Sequence, residues 1–112
     1  MPPEVQKLLA DMLEAADAIT SFAKEKSLDD FVKDALLRSA IYYQYVIIGE
    51  ALSRLRNLDL SIAEQISEHW RIVGFRNQVI HGYAKMDHEI TWRIVEDKLP
   101  ILRAELAQLL SK

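Results

Sequence analysis

The run Ala40-Ile-Tyr-Tyr-Gln-Tyr-Val-Ile-Ile-Gly-Glu-Ala-Leu52 is apolar on nearly every side of a helix, and its reading decides the fold. A helical segment that is apolar all round needs contacts on more than one side. It is too short to span a bilayer, which takes about 20 apolar residues, and Gln44 and Glu50 interrupt it. From Leu28 to Asn57 there is no proline and only Gly49, which predicts one helix of roughly 30 residues, about 45 Å long. We read it as a central core helix that also serves a dimer interface; a plain monomeric core helix is the simpler alternative. Glu50, set in that surround, needs a hydrogen-bond or charge partner.

The flanking segments are also helical. Val5, Leu8, Leu9, Met12, Leu13, Ala16, Ile19 and Phe22 recur at three- and four-residue steps, which makes one apolar stripe ending near Lys24 to Lys26. Ser27 with Asp30 has the spacing of a capping box, and so has Ser61 with Glu64, which predicts a short helix from Ile62 to Ser67. A further helix from His69 to Ile80 would stop at Gly82 in a left-handed conformation, leaving His81 at its C-terminus. Asp87 would cap a last stretch, Glu89 to Ser111, which Pro100 should kink or split. Nothing alternates as a strand does. The sequence thus predicts an all-α, antiparallel bundle of about five or six helices, one domain over residues 1–112, expected to dimerise through its long central helices.

Composition narrows the function. The chain has 112 residues, no cysteine and a formal charge of −3. That leaves no disulfide framework, no zinc knuckle and no thiol nucleophile, and a cytoplasmic setting is expected. Met1 to Ala10 lacks the long apolar core of a signal peptide. The negative charge argues against a coat of basic residues for non-specific nucleic-acid binding. Any such contact must be local, and one basic island exists: His69 to Met86 holds no Asp or Glu but carries Arg71, Arg76 and Lys85.

Inside that island lies Arg76-Asn77-Gln78-Val79-Ile80-His81-Gly82-Tyr83. Asn77 and His81 are four apart and share a helix face, whereas Arg76 and His81 are about 140° apart around an ideal helix. One copy of the motif need not converge; a partly unwound terminal turn or a second subunit would bring an arginine and an imidazole to one phosphate. Such a pair suits RNA cleavage without a metal: the imidazole takes the 2′-hydroxyl proton and the arginine binds the phosphate and its developing charge.

Arg76, His81 and Tyr83 stand as in the Arg-x4-His-x-Tyr motif of the HepT-like toxins of the HEPN superfamily, and the chain resembles that family along its whole length. Ile48-Gly49-Glu50-Ala51, Trp70 ahead of Gly74-Phe75-Arg76-Asn77, His81-Gly82-Tyr83, and Trp92 leading to Leu99-Pro100 all follow its pattern. The resemblance implies an all-α homodimer with a cleft between subunits. It implies a metal-independent endoribonuclease of a type VII toxin–antitoxin pair, whose partner is a minimal nucleotidyltransferase. By position, Arg76 and His81 match the catalytic pair, Asn77 the supporting polar residue, and Tyr83 the tyrosine that receives AMP. An anionic group there, two residues from His81, would block RNA entry.

Other residues read more simply. His69, His81 and His88 are 12 and 7 residues apart, without helical ligand spacing, so neither a metal nor a cofactor is expected. Trp70 and Trp92 read as core aromatics ahead of base-stacking platforms, and Tyr42, Tyr43 and Tyr45 as structural. Arg71 and Lys85 are candidates to guide RNA, Arg54 and Arg56 weaker ones. The expected partners are RNA (tRNA or mRNA), the antitoxin and a second copy, with no membrane and no DNA specificity. The alternative is a non-catalytic subunit that binds nucleotides or the nucleotidyltransferase; a purely structural helical dimer has no use for the basic island.

Overall fold

The computed structural model describes residues 1–112 and contains only helices: α1 (Pro3–Ala23), α2 (Leu28–Lys33), α3 (Ala35–Leu58), α4 (Leu60–Ala63), α5 (His69–Gly82), α6 (His88–Asp97) and α7 (Leu99–Leu110). A 3-10 turn, Tyr83–Lys85, follows α5. Helix α3 is the centre. Helix α1 packs along it on one side and α5 on another, α7 lies against α1, and α2 joins α6 to the start of α3. The two-sided cover that the Ala40–Leu52 run demands is therefore supplied largely within one copy.

The core follows from helical spacing. Helix α1 buries Val5, Leu8, Leu9, Met12, Ala15, Ala16 and Ile19, and α3 answers with Leu37, Ile41, Tyr45, Ile48, Ala51, Leu52 and Leu55. Leu102, Leu106 and Leu109 of α7 and Trp92 and Val95 of α6 complete it, as Pro100 in the first turn of α7 separates those two helices. The capping box at Ser27 is present in both directions. Asp87 accepts from the Glu89 and Ile90 N–H groups.

Four expectations needed correction. The helix from Leu28 to Asn57 is broken at Asp34, whose backbone is extended and whose carboxylate accepts from the Leu36 and Leu37 N–H groups. An aspartate that satisfies the free donors of a new helix competes with continuation of the old one. The count accordingly rises to seven helices. Before Ile62 the cap is Asp59, not Ser61; Ser61 only donates to the Asp59 carboxylate, and the helix is the four-residue α4. Gly82 is the last residue of α5 with φ −150°, and no glycine has positive φ. The backbone tightens into the 3-10 turn instead of reversing through a left-handed residue.

Trp70 and Tyr43 also depart from the core reading: they are 58% and 63% exposed, while Trp92 and Tyr45 are buried. No helix is long and apolar enough to cross a membrane.

Candidate active site

Helix α5 carries the motif and is held differently from its neighbours. Its N-cap residue, Glu68, is left-handed at φ 54° and makes no side-chain cap. No residue of α5 is fully buried. Ile72, Val73 and Phe75 are half-buried against the core, and Arg76 turns the same way. A Cβ on Gly49 of α3 would lie only 2.7 Å from Arg76 Cγ and nearer still to its Cβ. Gly49 is therefore the notch in α3 through which the Arg76 side chain passes.

Beyond the notch, Arg76 Nη1 lies 3.4 Å from a Glu50 carboxylate oxygen, with the arginine side chain 17% exposed and the glutamate 54%. Arg76 Nε is buried without a partner. Glu50 does have a charge partner, but its side chain is solvent-exposed, so burial in an apolar surround is not what calls for the pair. An ion pair with so exposed a carboxylate contributes little to stability, but it fixes where the guanidinium points and leaves donors free for another anion.

His81 and Asn77 are exposed on the other side of α5. On an ideal helix Trp70, Asn77 and His81 fall on one stripe facing away from α3. The exposed Trp70 is the residue that sequence reasoning set aside: indole content and helical spacing point to a core, and only the one-sided packing of α5 leaves the ring in solvent. Its ring meets His69 edge to face, centroids 5.2 Å apart. One copy therefore presents Arg76 towards α3 and His81 away from it. Tyr83 follows on the 3-10 turn, 74% exposed. Arg71 is exposed and 3.5 Å from Glu68; Lys85 is exposed and carries no salt bridge.

The remaining histidine is structural. His88 Nδ1 is 2.8 Å from the Tyr42 hydroxyl, which is also 2.9 Å from the Thr91 hydroxyl. Burial is the main cause that raises the Tyr42 phenol above its ordinary value, with the Thr91 hydrogen bond acting against it. No three His, Asp or Glu side chains gather as a metal site.

An all-helical protein with an Arg-x4-His pair at the end of an exposed helix is the class these features define. Residues 12–109 match the family described as Ribonuclease HepT-like. The chain is 32% identical over 103 residues to a candidate RNase of Methanocaldococcus jannaschii, covering 92% of this chain and 94% of that protein. It is 31% identical over 106 residues to a candidate RNase of Caldanaerobacter subterraneus subsp. tengcongensis, covering 93% and 92%. To the probable ribonuclease HepT of Thermococcus cleftensis it is 29% identical over 102 residues, covering 90% and 91%. No solved structure matches it. The chain belongs to the HepT-like ribonuclease family.

Proposed function

We propose that this protein is a metal-independent endoribonuclease, the toxin of a type VII toxin–antitoxin pair, working as a homodimer. His81 takes the proton of a ribose 2′-hydroxyl; the 2′-oxygen attacks the adjacent phosphorus; the bond to the 5′-oxygen breaks, and the leaving oxygen takes a proton from the imidazolium. Fragments end in a 2′,3′-cyclic phosphate and a 5′-hydroxyl. Arg76 binds the non-bridging oxygens as charge builds on them, with Glu50 and the Gly49 notch setting its direction and Asn77 adding a polar contact. Exposed Trp70, on the His81 side of α5, is a platform for a stacked base.

The observation that carries the reading is the opposed placement of the pair. Arg76 is held against α3 while His81 faces solvent, so a second copy that faces the first supplies the imidazole for each arginine. A groove of about 450 Å³ between α1 and α3, with Tyr43, Ile47, Glu50 and Arg54 on its walls, gives that copy a surface beside Arg76. The exposure of Tyr83 suits modification by a nucleotidyltransferase, and a bulky anion there would repel RNA.

The test is incubation of purified protein with total RNA in excess EDTA, beside a His81→Gln variant, with end-group analysis of the fragments. Cleavage with cyclic phosphate ends, reduced at least about a hundredfold in the variant, is expected. Equal cleavage by His81→Gln overturns the catalytic assignment. No cleavage by either protein, with Tyr83 shown by mass to be unmodified, leaves the non-catalytic nucleotide- or partner-binding subunit as the reading.

A further inference from the structure

Cleavage with His81 as the only proton carrier asks one imidazole to serve two oxygens. In an in-line displacement the entering 2′-oxygen and the leaving 5′-oxygen stand on opposite sides of phosphorus. A proton acceptor must lie within hydrogen-bond reach of the hydroxyl it serves, so a group fixed beside one of these oxygens is badly placed for the other.

Glu50 stands where a second proton carrier is needed. Its Oε1 is 3.4 Å from Nη1 of Arg76, the arginine assigned to the phosphate, and its side chain is 54% exposed. The pairing is through one oxygen only, which leaves the other free to accept a proton. The groove of about 450 Å³ between α1 and α3 opens onto it. The other charged or titratable groups there are Asp11 and Glu14 of α1 and Tyr43 and Arg54 of α3, and Asp11 is taken by Lys7 at 3.0 Å. Glu50 is the carboxylate of that groove that pairs with Arg76.

Neither stability nor aim requires a charge at this position. So exposed a pair contributes little to stability, and a neutral amide oxygen would hold the guanidinium in the same direction. A carboxylate beside a phosphate site also weakens anion binding by like-charge repulsion. What it adds there, and an amide does not, is a place for a proton.

We propose that Glu50 is the general base of the cleavage. It takes the 2′-hydroxyl proton as the 2′-oxygen bonds to phosphorus, Arg76 holds the non-bridging oxygens, and the bond to the 5′-oxygen breaks as that oxygen takes a proton from the His81 imidazolium of the second copy. Glu50 then releases its proton to water and His81 takes one up, which restores the starting state. One wall of the cleft supplies base and arginine, and the other supplies the acid. This rests on the ribonuclease reading and divides between two residues the proton transfers given there to His81 alone.

The test is the pH dependence of kcat/KM for a quenched fluorescent single-stranded RNA in excess EDTA, with Tyr83 shown to be unmodified. The parent should give a bell, falling on the acid side as a carboxylate takes a proton and on the alkaline side as an imidazolium loses one. Glu50→Gln keeps an acceptor for Arg76 but cannot carry the proton. Its kcat should fall by about a hundredfold or more, its KM should stay within about threefold, its acid limb should disappear and its melting temperature should hold. A parent whose rate climbs to an alkaline plateau starts from a neutral imidazole, and that returns the base to His81. A Glu50→Gln protein with the parent's kcat, or with a change in KM alone, makes Glu50 a positioning residue for Arg76 and overturns the proposal. In either case cleavage lost in His81→Gln leaves the ribonuclease reading standing. A parent that cuts no RNA takes down both.

Discussion

Helices α1 and α5 both lie against α3, yet α1 buries seven side chains and α5 buries none. Their compositions do not explain this, since α5 contains Trp70, Ile72, Val73, Phe75, Val79 and Ile80. The difference lies in what surrounds them. Helix α1 has α3 on one side and α7 on another, whereas α5 has α3 alone and empty space towards α6 and α7. The first pairing makes the core. The second mounts a helix whose polar motif and aromatic residues stay open to a ligand or another chain, a common division between scaffold and site.

If that division is right, the largest effect on folding comes from the scaffold. Leu52, fully buried on α3, should on change to alanine cost about 2–5 kcal/mol by lost burial and an unfilled cavity. Trp70→Ala, on the open side of α5, should stay within about 0.5 kcal/mol of the parent. Urea unfolding of the two variants checks this. Equal losses would mean that the Trp70 end of α5 is packed in solution and is not an open platform for a base.

The next effect falls where the two regions meet. Gly49→Ala places a methyl against the Arg76 side chain, and α5 must move away from α3 to admit it. Overpacking of this kind costs about 1–3 kcal/mol. The same displacement breaks the Arg76–Glu50 alignment, so RNA cleavage should fall further than stability does. Thermal melts and a cleavage assay on one preparation separate the two. A fully active Gly49→Ala protein would remove the notch from the account of the site.

What was legible in the sequence follows the same boundary. The α1 stripe, the Ser27 box, the Asp87 cap and the break at Pro100 are local signals that tertiary structure leaves alone. Asp34 was not legible, because an aspartate inside an apolar-periodic run reads as a solvent-facing helical residue until its carboxylate is seen on the Leu36 and Leu37 N–H groups. For the site, the motif residues were plain, but the direction of Arg76 was not. Its signal was present in Gly49, a glycine in the middle of a helix that otherwise prefers larger residues. Trp70 misled because a sequence states that a residue is apolar and not how many neighbours its helix has.

The smallest effect concerns acid and belongs to the scaffold side. The Asp30 carboxyl is held below the ordinary aspartate value of 3.8 chiefly by the backbone N–H of Ser27, with help from the Ser27 hydroxyl. That of Asp59 is held below it chiefly by the Ser61 hydroxyl, then by the Ile62 N–H. A carboxyl with a lower pKa folded than unfolded binds its proton later in the folded chain. The stabilisation is therefore complete above the unfolded value and disappears as pH falls through the folded one. Between pH 6 and pH 3 the parent should lose stability, and an Asp30→Asn, Asp59→Asn protein should lose less over the same interval, although it starts lower. Asp30 sits on α2 and Asp59 caps α4, both outside the helix that carries the motif, so cleavage at neutral pH should be unchanged. Urea midpoints at the two pH values read the first point, and cleavage of RNA by the double variant the second. If the variant keeps the parent's full acid slope, the acid response arises outside these two caps. If it loses activity at neutral pH, α4 governs how α5 is carried, and the scaffold and the site are not separable in the way α1 and α5 suggest.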